Sequence, residues 1–211
     1  MNALIVLGGD APGKALLKSC AGQADLLIAA DRGLEAFHAA GVAPDLLIGD
    51  MDSVDAVILD QYEGQANQTR LCCEKDDTDG EAALHLALER GADRVTFLGA
   101  LGGRLDHALA NLMLLNRAHQ LGVRAEILDE KVRIFRVEGH AVLRGALGDT
   151  VSLLPLGKAE GVTLEGFHYP LENGTLTSDR TLGISNIVNS DDAQVTVTSG
   201  DLFLFHYYAG I

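Results

Sequence analysis

The chain has 211 residues, a formal net charge of −14 and a hydrophobic content of 47%. This length and apolar content predict a globular protein with a sizeable core, in one large domain or two small ones. The acidic balance argues against a nucleic-acid partner, which would need basic surface. No apolar run approaches the roughly 18 residues of a membrane span, so we expect no membrane partner.

The N-terminus and the cysteines indicate a cytoplasmic protein. The first residues, MNALIVLGGD, lack the basic region of a signal peptide and enter a strand pattern directly. Cys20, Cys72 and Cys73 form an odd set without metal-ligand spacing. We therefore interpret them as reduced thiols, as is usual in the cytoplasm.

In the first 130 residues, short apolar runs alternate with segments of helical spacing. The runs predict strands at Ala3–Leu7, Asp25–Ala30, Leu46–Asp50, Thr69–Cys73, Arg94–Leu98 and Arg124–Leu128. The helical segments are Pro12–Ala21, Arg32–Ala40, Val54–Leu59, Asp79–Arg90 and Asp106–Leu121. This alternation is typical of an α/β fold with a mainly parallel sheet flanked by helices.

After about residue 130 the pattern changes to short strands separated by Gly, Asn and Asp turns. The predicted strands are Val132–Val137, Val151–Pro155, Ala193–Thr198 and Leu202–Tyr207. No long helical period is present in this part of the sequence. We therefore predict two domains, an α/β domain at 1–130 and an all-β, sandwich-like domain at 131–211.

Carboxylates follow the carboxyl ends of successive predicted strands in the first domain. They are Asp10, Asp31, Asp50 with Asp52, Asp76 to Asp79, and Asp106. A single aspartate in such a place is most simply a helix cap or a turn residue. Because ligands bind at this edge of open α/β sheets, the whole set favours one shared site.

The segment Gly49–Ser53, with the sequence GDMDS, is the centre of this pattern. Side chains two residues apart in an extended segment point the same way, so Asp50 and Asp52 can face one site. Two carboxylates that close repel each other unless a proton or a cation lies between them. Oxygen ligands of this kind suit Mg²⁺ carrying phosphates, although a strand-end turn explains the same residues.

Two basic residues lie among these carboxylates. Arg104 belongs to the segment GGRLDH at the start of a predicted helix, where backbone amides and a guanidinium can bind phosphate; Lys75 follows the predicted strand Thr69–Cys73. The P-loop pattern and the G-x-G-x-x-G fingerprint are both absent from the sequence. Carboxylates for Mg²⁺ together with Arg and Lys are typical of phosphoryl transfer.

Five motifs occur in the order found in one known family, and together they span nearly the whole chain. They are ADRG at Ala30–Gly33, PDLLIGDMDS at Pro44–Ser53, EKDDTDGEAAL at Glu74–Leu84, GGRLDH at Gly102–His107 and GISN at Gly183–Asn186. By these motifs the chain resembles the bacterial thiamine pyrophosphokinases.

The resemblance implies an activity and an assembly. That family transfers pyrophosphate from ATP to the hydroxyl of thiamine with Mg²⁺, leaving AMP. It pairs an α/β domain, which binds ATP and Mg²⁺, with a β-sandwich domain that binds thiamine and contributes to dimerisation. The resemblance therefore implies ATP and thiamine as ligands and a homodimer with its sites at the subunit interface.

The resemblance also implies roles for the residues of the matching motifs. Mg²⁺ and the phosphates would be held by Asp31, Asp50, Asp52 and Asp79, with Lys75 and Asp76 close by. Arg104 and Asp106 would engage the nucleotide phosphates and the metal cluster. Ser185 and Asn186 would contact thiamine.

The sequence departs from the family pattern at two points. Arg32 replaces the first of two glycines that usually follow the first aspartate, which adds a cation near the site. The chain contains no Trp, so the aromatic partner of thiamine must be another residue. Phe203, Phe205, Tyr207 and Tyr208 are candidates, although an aromatic residue at a strand end is more often part of the core.

Two other functions compete with thiamine pyrophosphorylation. A diphosphokinase could use the same metal site on another small alcohol, such as a pterin. A regulator that binds a nucleotide or thiamine without catalysis could keep the same fold. The GISN motif favours thiamine as the acceptor, and the crowded carboxylates favour catalysis.

Overall fold

The computed structural model describes residues 1–62, 67–70 and 78–209, and only the backbone of 67–70. Internal contacts divide the chain into two units, Met1–Glu130 and Lys131–Ile211. Each unit has its own cluster of buried apolar side chains.

A parallel sheet forms the centre of the first unit. Its strands are β1 (Asn2–Val6), β2 (Leu26–Ala30), β3 (Leu46–Gly49), β4 (Asn67–Arg70), β5 (Arg94–Leu98) and β6 (Arg124–Leu128). They lie in the order β4-β3-β2-β1-β5-β6, and every neighbouring pair is parallel. The order reverses between β1 and β5, which is where open α/β sheets usually bind ligands. The predicted fold class is confirmed, and the carboxyl ends of all six strands share one edge.

Helices connect these strands, and each contributes buried or partly buried apolar side chains. They are α1 (Lys14–Ala21), α2 (Gly33–Ala40), α3 (Ala56–Tyr62), α4 (Asp79–Glu89) and α5 (Leu105–Gln120). Leu17 of α1, Phe37 of α2 and Leu84 of α4 have no exposed surface. The helices therefore pack through residues at helical spacing, as the sequence pattern predicted.

The start of α4 follows from a capping box. The Thr78 hydroxyl accepts a hydrogen bond from the backbone N–H of Glu81 at 3.3 Å, so the helix begins at Asp79. The helix packs against β1, β2 and β3. Because a helix that connects parallel strands starts at their carboxyl edge, Asp79 lies at the edge where Asp31 follows β2.

The second unit is antiparallel. Its strands are β7 (Val132–Arg136), β8 (His140–Arg144), β9 (Thr150–Glu165), β10 (Leu171–Thr177), β11 (Asn186–Ile187), β12 (Asp192–Thr196) and β13 (Ser199–Tyr207). The long strand β9 pairs with β10, β11, β12 and β13. Alternate residues of these strands form the core of the unit, as in β-sandwiches.

The sequence prediction for this unit was too short at β9 and missed three strands. It placed a strand only at Val151–Pro155, whereas β9 continues to Glu165 through Gly157 and Gly161. Both glycines have positive φ, of 76° and 65°, a conformation that usually ends a strand. β8, β10 and β11 were not predicted. Residues 71–73 of the predicted fourth strand lie outside the described residues.

Within the described residues, no helix is both long enough and apolar enough to cross a membrane.

Candidate active site at the carboxyl edge of the parallel sheet

Asp31 occupies the junction of three segments of the first unit. Its backbone N–H donates to the carbonyl oxygen of Ile48 at 3.0 Å, and its Oδ1 accepts from the backbone N–H of Met51 at 3.3 Å. Its side chain is also hydrogen-bonded to the side chain of Asp79 at the start of α4. The carboxyl ends of β2 and β3 and the first turn of α4 therefore meet at one carboxyl group.

Gly49 makes this close approach possible. Its φ is 130°, and a Cβ added to it would lie 2.0 Å from Oδ1 of Asp31. Any side chain at this position would collide with the Asp31 carboxyl group, and only glycine adopts this conformation without strain. The glycine of the GDMDS segment thus has a packing role within the site.

Asp50 and Asp52 face each other across a turn rather than along an extended strand. β3 ends at Gly49, and Met51 has a φ of 62°. The backbone N–H of Asp52 donates to Oδ1 of Asp50 at 3.1 Å, and the two side chains are hydrogen-bonded. The two carboxyl groups are adjacent as predicted, but a left-handed residue between them brings them together.

The crowding of these carboxyl groups raises the pKa of two of them. The pKa of Asp31 rises to about 7, mainly because the group is partly buried and then because of the hydrogen bond and charge of Asp79. The hydrogen bond and charge of Asp50 raise the pKa of Asp52. Burial is thus the main cause for Asp31, whereas the neighbouring carboxyl group is the main cause for Asp52.

This donor set fits a hard divalent cation that also carries phosphate. Within 1–62 and 78–209, no group of three or more His, Cys, Asp or Glu side chains is placed so that it could hold a metal ion by itself. Mg²⁺ is commonly bound by one or two carboxylates plus substrate phosphates and water, and does not need such a cage. The four aspartates Asp31, Asp50, Asp52 and Asp79 supply oxygen ligands of that kind.

The raised pKa of Asp31 predicts a pH-dependent stability in metal-free protein. An unfolded aspartate ionises near pH 4, whereas folded Asp31 keeps its proton to about pH 7. Between these values the folded state binds more protons, so stability should fall as pH rises. We expect the Tm in EDTA to fall between about pH 5 and about pH 8, and Asp31→Asn to flatten this slope.

The control for this measurement is Asp60→Asn, which removes an exposed carboxylate of α3. Asn suits position 31 because the φ of 46° is one that asparagine tolerates. Equal slopes for wild type and Asp31→Asn would contradict the assignment of the proton to Asp31.

Arg104 and Asp106 form a second group, at the end of the loop after β5 and in the first turn of α5. Their side chains are joined at 2.6 Å and are 72% and 65% exposed. The hydrogen bond from Arg104 lowers the pKa of Asp106 to about 2. Within the described part of the chain this pair does not contact the four aspartates, so the structure places it at the same sheet edge but as a separate group.

The backbone links this loop to the end of β1. The N–H of Gly9 donates to the carbonyl oxygen of Gly99 at 2.8 Å, and that of Asp10 donates to Leu101 at 2.7 Å. The GGRLDH segment is therefore fixed at the point where the strand order reverses.

Three further residues named from the sequence are Lys75, Asp76 and Arg32. Lys75 and Asp76 lie outside the described residues. The Arg32 side chain is 56% exposed and lies 3.7 Å from the carboxylate of Glu35 in the first turn of α2. That carboxylate in turn accepts the backbone N–H of Asp55 at 3.1 Å.

In the second unit, Ser185 and Asn186 have different surroundings. Ser185 is exposed, with a φ of 57°, and its N–H donates to Oγ of Ser152 at 3.0 Å. Asn186 is 6% exposed; its Nδ2 donates to the carbonyl oxygen of Tyr169 at 2.7 Å, and its Oδ1 accepts the N–H of Tyr169 at 2.9 Å. Its amide is thus occupied by the backbone of Tyr169.

Tyr169 is an aromatic residue that the sequence analysis missed. It is 63% exposed, and its ring lies 4.5 Å from that of His168 in an edge-to-face arrangement. Among the aromatic residues named from the sequence, Phe203 is fully buried and Tyr207 is 42% exposed. A single tyrosine 17 residues before Asn186 gives no sequence signal, because only the folded chain brings the two together.

Comparisons with known proteins show which family this chain is similar to. The family model described as the thiamin pyrophosphokinase catalytic domain matches residues 17–127, and the model of the vitamin B1 binding domain matches residues 139–202. The thiamine pyrophosphokinase of Bacillus subtilis (strain 168) is 32% identical over 189 residues, which cover 86% of this chain and 87% of that protein.

Solved structures of thiamine pyrophosphokinases are also similar to this chain. The crystal structure of the thiamine pyrophosphokinase from Bacillus subtilis is 27% identical, with a TM-score of 0.86 over 99% of both chains. That of the Geobacillus thermodenitrificans enzyme is 28% identical, with a TM-score of 0.84 over 100% of this chain and 99% of that chain. Sequence, fold and the order of the motifs lead to one conclusion: the chain belongs to the thiamin pyrophosphokinase family.

Proposed function

We propose that this protein transfers pyrophosphate from ATP to the hydroxyl of thiamine in a Mg²⁺-dependent reaction, giving thiamine diphosphate and AMP. The observation that carries the proposal is the cluster of Asp31, Asp50, Asp52 and Asp79 at the carboxyl edge of the sheet. A cluster this acidic would repel ATP unless a divalent cation joined the two. The odd number of cysteines in the sequence, without metal-ligand spacing, favours the cytoplasm as the place of the reaction.

The residues of the first unit account for the phosphate side of the reaction. Mg²⁺, when bound, neutralises phosphate charge and holds the triphosphate in place. Asp50, Asp52 and Asp79 would hold the metal, and Asp31 would orient Asp79 through their hydrogen bond. Arg104 would bind phosphate oxygens while Asp106 keeps its guanidinium in place. Lys75 and Asp76 belong to the same segment of the sequence as Asp79 and remain part of the proposed nucleotide site.

The reaction itself depends mainly on position. The hydroxyl oxygen of thiamine forms a bond to the β-phosphorus of ATP, the bond from that phosphorus to the bridging oxygen of AMP breaks, and AMP leaves. The hydroxyl proton passes to a carboxylate of the cluster, and Asp50 is our candidate for contact with the acceptor. Correct alignment and charge neutralisation supply most of the rate enhancement in such transfers.

The second unit would bind thiamine. Ser185 and the ring of Tyr169 are exposed and are linked through Asn186, so one face can offer both a hydroxyl and an aromatic surface. The thiazolium of thiamine is a cation, which is attracted to the face of an aromatic ring.

Exposed apolar residues lie next to Ser185 in the chain, and they support the homodimer that the resemblance implies. Leu182, Ile184 and Ile187 are 51%, 47% and 42% exposed. Clustered apolar side chains of this size often mark protein interfaces. We propose a homodimer in which the sites lie at the subunit interface.

The reaction predicts a specific product pattern. Wild-type protein with ATP and Mg²⁺ should release AMP only when thiamine is present, in equal amount to the thiamine diphosphate formed. EDTA should abolish this release, because the phosphates would then face uncompensated carboxylates. The measurement is separation of ATP, ADP and AMP by chromatography.

Other outcomes would contradict the proposal in different ways. ADP in place of AMP would mean transfer of a single phosphate. AMP without thiamine dependence would mean hydrolysis or another acceptor, such as a pterin alcohol. No turnover of ATP would favour a binding protein.

A further inference from the structure

Three polar side chains are buried within the described residues, and all three lie in the second unit. Ser152, Asn186 and His206 are 8%, 6% and 8% exposed. Burial of a polar group is unfavourable unless the group is hydrogen-bonded, so each needs a specific partner. The partners of all three belong to one part of the unit, the segment Gly183–Val188 and its neighbours.

Ser152 supports the exposed residue Ser185. Its Oγ, inside the sheet on β9, accepts the backbone N–H of Ser185 at 3.0 Å. Ser185 has a φ of 57°, which residues with a side chain seldom adopt unless their surroundings hold them there. The next backbone bond on this edge runs from the N–H of Leu153 to the carbonyl oxygen of Gly183 at 2.8 Å. The Ser152 hydroxyl is thus the side-chain contact that holds this strained backbone.

Asn186 fixes the position of Tyr169. Its side chain bonds to both backbone polar groups of Tyr169, and its Oδ1 also accepts the N–H of Ile187 at 2.9 Å. The amide therefore joins the loop before β10 to β11. Both acceptor positions of Oδ1 and one N–H of Nδ2 are used in these bonds, and the side chain is 6% exposed, so it offers little surface to a ligand from solvent.

His206 supports Val188 indirectly, through Asp149. Its Nε2 lies 2.6 Å from Oδ2 of Asp149, and both side chains are nearly buried. The backbone carbonyl of Asp149 accepts the N–H of Val188 at 3.0 Å. The segment is therefore supported from Ser185 to Val188 by side chains that are themselves buried.

We infer that Ser152 and Asn186 are positioning residues for thiamine, which hold Ser185 and Tyr169 in their binding conformation without contacting the ligand. The inference rests on the proposed function, because it takes Ser185 and Tyr169 as the thiamine-binding residues. It assigns a role to Ser152, and it gives Asn186 an indirect role in place of a direct contact. A ligand binds more tightly to a segment that is already ordered, because binding does not have to order that segment.

The chain contains a matched control for Ser152. Thr163, on the same strand, accepts the N–H of Asn173 at 3.1 Å, and Asn173 also has a positive φ, of 47°. Ser152→Ala and Thr163→Val each remove one hydroxyl that supports a strained residue. Only the first affects the proposed thiamine segment.

The test is steady-state measurement of thiamine-dependent AMP formation for both variants and wild type. Loss of a hydrogen bond at Ser152 should raise the KM for thiamine about tenfold. The KM for ATP and the kcat should stay within about twofold of wild type, since the phosphate site is unchanged. Thr163→Val should leave all three constants close to wild type, and Ser152→Thr, which keeps the hydroxyl, should largely restore the KM for thiamine.

The outcomes separate this inference from the function on which it rests. An active wild type with the same KM for thiamine in Ser152→Ala and Thr163→Val would overturn the positioning role and leave the proposed function intact. An equal loss of kcat for both variants would also overturn it, as a general loss of structure. A wild type without thiamine-dependent AMP would overturn both. If Ser152→Ala does not fold, Ser152→Cys, with a weaker acceptor at the same place, should show the same selective rise in KM.

Discussion

Asp50→Asn and Asp52→Asn are each expected to lower thiamine-dependent AMP formation by about 10³-fold or more. Both side chains lie on the turn after β3 and share a hydrogen bond, so each change removes one carboxylate from the proposed metal site. A bound metal supplies several kcal/mol of charge stabilisation in phosphoryl transfer, and each 1.4 kcal/mol is worth about tenfold in rate. Initial rates at saturating ATP and thiamine would measure the effect.

The same variants should not be less stable than wild type. In the absence of metal the charge of Asp50 raises the pKa of Asp52, so removal of either charge relieves repulsion. We expect an unchanged or higher Tm in EDTA together with the loss of activity. This combination distinguishes a functional carboxylate from a structural one.

Asp60→Asn is the control, because it removes the same charge from an exposed position on α3. Its activity should be that of wild type. Activity within about tenfold of wild type for both Asp50→Asn and Asp52→Asn would contradict the proposed metal site.

Gly33→Ala is expected to have the largest effect on folding. Gly33 is the first residue of α2, and a Cβ at this position would lie 1.9 Å from the carbonyl oxygen of Val6 on β1. β1 is an inner strand with a partner on each side, so the carbonyl cannot move without breaking the sheet. We expect a loss of about 3 kcal/mol or more, which is at the upper end for overpacking.

Gly22→Ala provides the comparison for this change. Gly22 has a φ of −68° at the end of α1, and an added Cβ would make an ordinary contact at 3.4 Å with the carbonyl oxygen of Lys18. This substitution should be neutral or slightly stabilising, because alanine restricts the unfolded chain.

Urea unfolding followed by circular dichroism at about 222 nm, the helical band, would measure both substitutions. Every helix in the described residues belongs to the first unit, so the helical signal reports on that unit. Equal midpoints for Gly33→Ala and Gly22→Ala would contradict the expected clash.

The α/β fold of the first unit could be predicted from local patterns in the sequence. Continuous apolar runs predicted buried parallel strands, and the capping box at Thr78 predicted where α4 begins. These signals are local, since they depend on residues within a few positions of one another. The aspartates that follow successive strands indicated a shared edge, because parallel strands bring their carboxyl ends together.

The contacts between these carboxyl groups depend on how the helices pack on the sheet. Asp31 and Asp79 are 48 positions apart, and they meet because α4 packs on β1, β2 and β3. The left-handed φ of Met51, not an extended strand, brings Asp50 and Asp52 together. The sequence cannot specify these contacts, because they depend on how helix and sheet pack.

In the second unit, too, some features are visible in the sequence and others depend on contacts between distant residues. β9 continues through two glycines because partner strands on both of its edges supply hydrogen bonds that the local sequence does not encode. Ser152 lies 33 positions from Ser185, and Asn186 lies 17 positions from Tyr169. The motif GISN was visible in the sequence, but the support of Ser185 by Ser152 and the exposure of Tyr169 beside Asn186 arise only when antiparallel strands bring distant residues together.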